Sequence, residues 1–86
     1  MFKAQITITL KKTVLDAQGA TVQRALYNLG YESVDHLRMG KYVELLVNSG
    51  DEASARRQVD EMCRKLLVNP IIEEYRFELV PVKSGR

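Results

Sequence analysis

Asn69-Pro70 is the point at which this chain has least conformational freedom. Pro70 has no backbone N–H with which to continue a helix, and its ring pushes Asn69 out of the helical region. The β-branched pair Ile71-Ile72 that follows favours extended backbone. A helix arriving through Leu66-Leu67-Val68 therefore has to stop here, and a strand is expected to begin at once. Every other element must be arranged around that corner.

Upstream, Ser49-Gly50-Asp51-Glu52 matches a capping box, in which Ser49 and Glu52 satisfy each other's turn. Ala55, Val59, Met62, Cys63 and Leu66 then make an inward stripe, with Arg56, Arg57, Asp60, Glu61 and Arg64 opposite. Downstream, Tyr75, Phe77 and Leu79 share one strand face and Glu74, Arg76 and Glu78 the other. At the start of the chain, Phe2, Ala4, Ile6, Ile8 and Leu10 alternate with Lys3, Gln5, Thr7, Thr9 and Lys11, a half-buried strand. Asp16 is placed to cap a helix carrying Val22, Ala25, Leu26 and Leu29, and Gly30 to end it. Gly19 weakens the first turn, and either lets backbone approach something closely or is simply a loose helix start. Val34 to Asn48 reads as a hairpin turning on Arg38-Met39-Gly40-Lys41, or as one long strand bent by a bulge at Gly40.

The order β-α-β-β-α-β implies an α+β fold. It is a two-layer sandwich of ferredoxin-like type, a four-stranded antiparallel sheet with two helices on one face. Eighty-six residues make a single domain, 1–86, with 81–86 as a frayed tail. So short a chain buries only about 60–65% of its unfolded surface, and the open sheet face invites self-association into a dimer. The formal charge is +2 with both signs interspersed, which is not the concentrated charge of a nucleic-acid arm. One cysteine excludes an intrachain disulfide and a multi-cysteine metal site. No apolar run approaches the ~18 residues of a membrane span, and Met1-Phe2-Lys3 does not lead into a signal-peptide core, so a cytoplasmic location is expected.

Convergent chemistry is sparse. His36 falls in an expected strand, with Asp35 on the opposite face, and Cys63 lies on an apolar helical stripe. Glu73-Glu74 and Asp60-Glu61 read as solvated pairs. The strand order is also that of RNA-recognition domains, but the stacking positions hold Ile6, Ile8, Val43 and Leu45, with Tyr42 the only nearby aromatic. An amino-acid-sensing regulator of the ACT type shares the order too, and a small enzyme using Cys63 or His36 is the third class. Arg38 and Lys41 beside the turn glycine, and the Asn69-Pro70 corner, are the candidate partner-docking residues.

Lys11-Lys12-Thr13-Val14-Leu15-Asp16-Ala17-Gln18-Gly19 resembles the opening motif of the PurS family, the small subunit of phosphoribosylformylglycinamidine synthase. The resemblance continues through Thr21-Val22, Ala25-Leu26, Leu29-Gly30, Val34, Arg38-Met39-Gly40-Lys41 and Leu66 to Tyr75, nearly the whole chain. Ala17 stands where the family usually has proline, at some cost in rigidity. The resemblance implies an accessory role, with no catalytic, cofactor or metal residues in this chain. It implies an assembly that converts formylglycinamide ribonucleotide, ATP and glutamine to the amidine, ADP, phosphate and glutamate. ATP and Mg2+ are then expected on a large synthetase subunit, and ammonia release on a glutaminase subunit. The small subunit, a homodimer or in isolation a tetramer, bridges the two, and nucleic acid and membrane are not among the expected partners.

Overall fold

In the computed structural model, which describes residues 1–83, the elements are β1 (Phe2–Leu10), α1 (Ala17–Asn28), β2 (Gly40–Val47), α2 (Glu52–Met62), a π-helical turn (Cys63–Leu67) and β3 (Glu73–Pro81). The sheet has three antiparallel strands in the order β2-β1-β3. Ala4 stands opposite Leu45 and Leu79, and Ile6 opposite Val43 and Phe77, so apolar residues line up on one face. Ala4, Ile6 and Ile8 are fully buried, with Val47 from β2 and Ala55, Val59 and Cys63 from α2. The period-two pattern of β1 thus supplies the centre of the core.

The expected hairpin is absent, and with it the fourth strand of the ferredoxin-like sheet. Residues 31–39 form an irregular loop, and Gly40 is the first residue of β2 rather than the pivot of a turn. Val34 lies in that loop, whose hydrogen bonds go to α1 rather than to a strand ladder. The second departure concerns the helices. α2 lies over β1 and β3, whereas α1 has no substantial contact with the sheet or with α2. Only one helix covers the sheet. The chain therefore measures 50 × 30 × 15 Å, with a radius of gyration of 16.7 Å. A compact domain of this length has about 12 Å.

α1 starts and stops as the sequence implies. Asp16 accepts the Gly19 N–H at 2.8 Å. At the other end Tyr31 N–H bonds Leu26 O and Gly30 N–H bonds Tyr27 O, both at 3.0 Å, with Gly30 at φ +102°. That is a Schellman motif. The capping box does not form. Asp51 takes the N-cap position, which leaves Glu52 two residues short of reaching back, and Ser49 Oγ instead donates to Asp51 O at 3.1 Å. Glu52 pairs with Arg56 along the helix at 2.9 Å.

The end of α2 differs from a regular helix. Val68 N–H bonds Cys63 O at 2.9 Å, so one turn holds an extra residue. This delays the next inward position: Leu67 and Val68 pack on the core, and Leu66, expected inside, is 83% exposed. The chain then makes a turn through Pro70–Ile72 before β3, instead of entering the strand at once. Asn69 dictates this turn, its Oδ1 accepting the Ile71 N–H at 3.1 Å and its carbonyl the Glu73 N–H at 2.7 Å. Pro81 closes β3 and Val82 N–H bonds Met1 O at 2.9 Å, so neither belongs to a frayed tail. Residues 84–86 lie outside the described residues. No helix among the described residues is long and apolar enough to cross a membrane.

The added residue in the π turn makes neighbouring leucines unequal. Leu66→Ser will change stability by less than about 0.5 kcal/mol, and Leu67→Ala will lower it by roughly 1–3 kcal/mol, read from urea unfolding midpoints. Equal losses would restore a regular helical phase.

Candidate functional site

The segments that carry the family resemblance are far apart in sequence and meet at one end of the sheet. Asp16 is the hinge of this meeting. Its side chain is 7% exposed; Oδ1 accepts Gly19 N–H and Oδ2 accepts Met39 N–H, each at 2.8 Å. One carboxylate thus ties the start of α1 to the start of β2. The bonds to Met39 and Gly19 hold its pKa below the ordinary carboxylate range, with a smaller contribution from the Arg38 guanidinium 4.0 Å away. Gly19 makes the geometry possible: a Cβ there would stand 2.5 Å from Asp16 Oδ2 and 2.9 Å from Leu37 O.

Arg38 and Lys41 both spend their cationic ends inside the chain. Arg38 Nη2 donates to Leu10 O at 2.8 Å and Lys11 O at 3.1 Å, closing the end of β1. Lys41 Nζ lies 3.0 Å from Glu73 Oε2, whose side chain is only 12% exposed. Glu73 Oε1 also accepts Asn69 N–H at 2.8 Å, and this bond, then Lys41, lowers its pKa. Lys11 N–H completes the junction on Ile72 O at 2.8 Å. Arg38, Lys41, Asn69 and Pro70 are therefore brought to the same end of the sheet. Lys41 and Asn69 are linked through one carboxylate. Pro70 and Ile71 are presented outward, Ile71 at 78% exposure.

Glu73 was readable as more than a solvated charge. It shares strand parity with Tyr75, Phe77 and Leu79, as Lys41 does with Val43 and Leu45, so an inward carboxylate and an inward ammonium face the same side. What the sequence lacks is the topology that sets β2 and β3 on either side of β1.

Asp60, whose side chain is 40% exposed, is solvated as expected but also held within the chain. It accepts a short hydrogen bond from Tyr75 OH and one from Arg64 Nε at 2.9 Å, locking α2 to β3. Those two donors lower its pKa, and the same bond raises that of Tyr75. Cys63, behind them, is fully buried; burial first and the Asp60 carboxylate second push its thiol pKa up, opposite to what an attacking thiolate needs. His36 sits in the loop at φ +54°, not in a strand, and its Nε2 is 3.6 Å from Asp35 Oδ2. That pair is wide open to water, at 92% and 72% side-chain exposure. A groove of about 560 Å³ beside it is lined by Thr9, Leu10, Lys12, His36, Arg38 and Glu74. No group of metal-ligating side chains gathers among the described residues.

Residues 3–81 match the family model PurS, phosphoribosylformylglycinamidine (FGAM) synthase. The PurS subunit of Synechocystis is 44% identical over 98% of this chain and 84% of its own length. The crystal structure of Methanocaldococcus jannaschii PurS superposes with a TM-score of 0.87 at 37% identity, over 96% of this chain and all of that one. It is described as one of the subunits of formylglycinamide ribonucleotide amidotransferase. A chain in the structure of PurLQS from Thermotoga maritima matches at 0.86 and 34% identity, over 92% of this chain and 96% of that one. The comparisons lend the ACT-type alternative no support.

Two outcomes test the junction. Helix propensity alone would make Gly19→Ala stabilising by about 1 kcal/mol. The approach of Leu37 O, which is backbone and cannot swing aside, makes it destabilising by roughly 1–3 kcal/mol, checked by thermal unfolding. The pH dependence follows from Asp16, Glu73 and Asp60, whose pKa values all fall on folding. Their contribution is complete above the unfolded values near pH 4 and drains as pH drops through the lower folded values. The melting temperature will be flat from about pH 5 to 7 and decline below pH 4, and Asp16→Asn will flatten that decline.

Proposed function

The chain belongs to the PurS family, and we propose that it is the small, non-catalytic subunit of phosphoribosylformylglycinamidine synthase in purine biosynthesis. The match of residues 3–81 to the family model, together with the likeness to a chain of a PurLQS assembly, is the observation that carries this reading. In it the chain works as a homodimer in the cytoplasm. It bridges a glutaminase and an ATP-dependent synthetase, and ATP and Mg2+ belong to the synthetase. Ammonia released from glutamine then reaches the formylglycinamide ribonucleotide site at high effective concentration instead of diffusing away.

The arrangement of side chains supports a scaffold. A well-satisfied network fixes the shape of the sheet end, and the surface it holds outward is the Pro70-Ile71 corner. Docking uses Arg38, Lys41, Asn69 and Pro70, with a division of labour. Arg38 and Lys41 shape the corner from within, and Asn69 and Pro70 present it. Alanine at Arg38 or Lys41 will therefore lower stability as well as assembly, and the cleaner probe is the exposed Ile71.

Omitting this chain from a reconstituted synthase will abolish glutamine-dependent turnover and spare ammonia-dependent turnover. Equal activity without it would defeat the bridging role. Ile71→Asp will leave the melting temperature within about a degree and reduce co-purification of the two larger subunits. Undiminished co-purification would remove the corner from the docking surface.

A further inference from the structure

The groove beside His36 is not explained by the network that fixes the sheet end, yet cations gather on it. It holds about 560 Å³, within the range of small-molecule sites. Ile8 points into the core, so its neighbour Thr9 faces the other side of the sheet. There Thr9 stands between Glu74 of β3 and Gly40 of β2. Gly40 puts no side chain on that face, and a Cβ there would come 2.9 Å from Thr9 Cγ2. The missing side chain keeps space open beside the Thr9 hydroxyl.

The lining carries donors that the chain has not used. Arg38 is gripped by Leu10 O, Lys11 O and Asp16, which fixes its plane and leaves Nη1 without a hydrogen-bond partner among the described residues. Lys12 lines the same groove and enters no ion pair among the described residues. His36 is the third. Its backbone is left-handed at φ +54°, rare for an L-residue, and Asp35 Oδ1 accepts its N–H at 2.8 Å. Such strain persists where the surroundings over-determine it, and it gathers at ligand clamps. The loop that carries His36 is not slack. Gln23 Oε1 accepts Leu37 N–H at 3.1 Å, and Tyr27 OH donates to Val34 O at 2.8 Å, which fastens the loop along α1.

Two cations and an imidazole against the single carboxylate of Glu74 select an anion. That carboxylate, paired with Thr9 across the sheet, accepts hydrogen bonds only, so it favours an anion that also carries hydroxyls. We propose that the groove binds a sugar phosphate, its phosphate oxygens on Arg38 Nη1, Lys12 and the His36 imidazole and its sugar hydroxyls on Thr9 and Glu74. A guanidinium already held in place loses little freedom on binding, which makes Arg38 the anchor. The site needs no partner subunit, so its fate and that of the subunit role above are independent.

The test is amide NMR of the full chain, titrated separately with ribose 5-phosphate, inorganic phosphate and hexaglutamate. Ribose 5-phosphate is expected to shift the amides of Thr9, Leu10, Lys12, His36, Arg38 and Glu74 saturably, and to bind at least about fivefold more tightly than inorganic phosphate. Equal affinity for inorganic phosphate would reduce the groove to a bare anion site and overturn the sugar phosphate. Tighter binding of hexaglutamate would reassign it to an acidic protein segment and overturn the proposal as well, as would no saturable shift at those amides. Lys12→Gln will weaken ribose 5-phosphate about tenfold without changing the melting temperature. Lys83→Gln removes the same charge at the other end of the sheet, where Val82 N–H bonds Met1 O, and will change the affinity less than about twofold. Equal losses in the two variants would mean attraction by net charge alone and would defeat the site.

Discussion

The Asp16 carboxylate is the contact on which the arrangement of the chain depends. Twenty-nine residues separate the end of β1 at Leu10 from the start of β2 at Gly40, and little in that excursion packs on the sheet. Its course is set at its two roots, where one side chain accepts N–H groups from Gly19 and Met39. Arg38 seals the same place by bonding the last carbonyls of β1. Removing the carboxylate would leave two backbone donors without partners and free the arm to pivot. A structural aspartate thus does what a second layer of hydrophobic contacts does in a more compact domain.

At the same end of the sheet, separate sequence blocks of this chain depend on one another. Leu15 to Gly19 supplies the carboxylate and the space beside it, Arg38 to Lys41 the donor and two cations, and Lys65 to Tyr75 the turn and the carboxylate that receives Lys41. Each block is intelligible through the others. The chemistry assembled there is that of fixing geometry, with Asp16, Arg38, Lys41 and Glu73 each answered by a partner within the chain. A subunit whose task is to hold two enzymes in register has use for such a corner, and a proton-transfer site would need the reverse, groups left unsatisfied and poised.

Local signals in the sequence were dependable wherever one element decided the outcome. The alternation of Phe2 to Leu10, the cap at Asp16, the left-handed Gly30 and the parity of Tyr75, Phe77 and Leu79 are all as the residues imply. The failures share a cause. Gly40 fits a turn equally well as a strand start, and only the clamp on Met39 decides between them. Ser49 and Glu52 have the spacing of a capping box, but the helix begins at Asp51, where the core positions Ala55 and Val59 set its phase. Leu66 obeys the 3.6-residue period that the π turn interrupts. The apolar stripe of α1 calls for cover by the sheet, yet α1 has no substantial contact with it, and pattern alone does not say what covers a stripe.

The placement of β1 in the middle of the sheet has a kinetic consequence. It is the earliest strand in sequence, yet its partners are β2 and, some seventy residues further on, β3; Phe2 faces Pro81. Closing so wide a loop has to precede the contacts that reward it, which makes the search for the native pairing slow for a chain this small. During synthesis Ala4, Ile6 and Ile8 lack their β3 neighbours until Tyr75 to Leu79 has been made. Until β3 arrives one edge of β1 is open to wrong pairing, and whatever blocks that edge governs how readily the native sheet is reached.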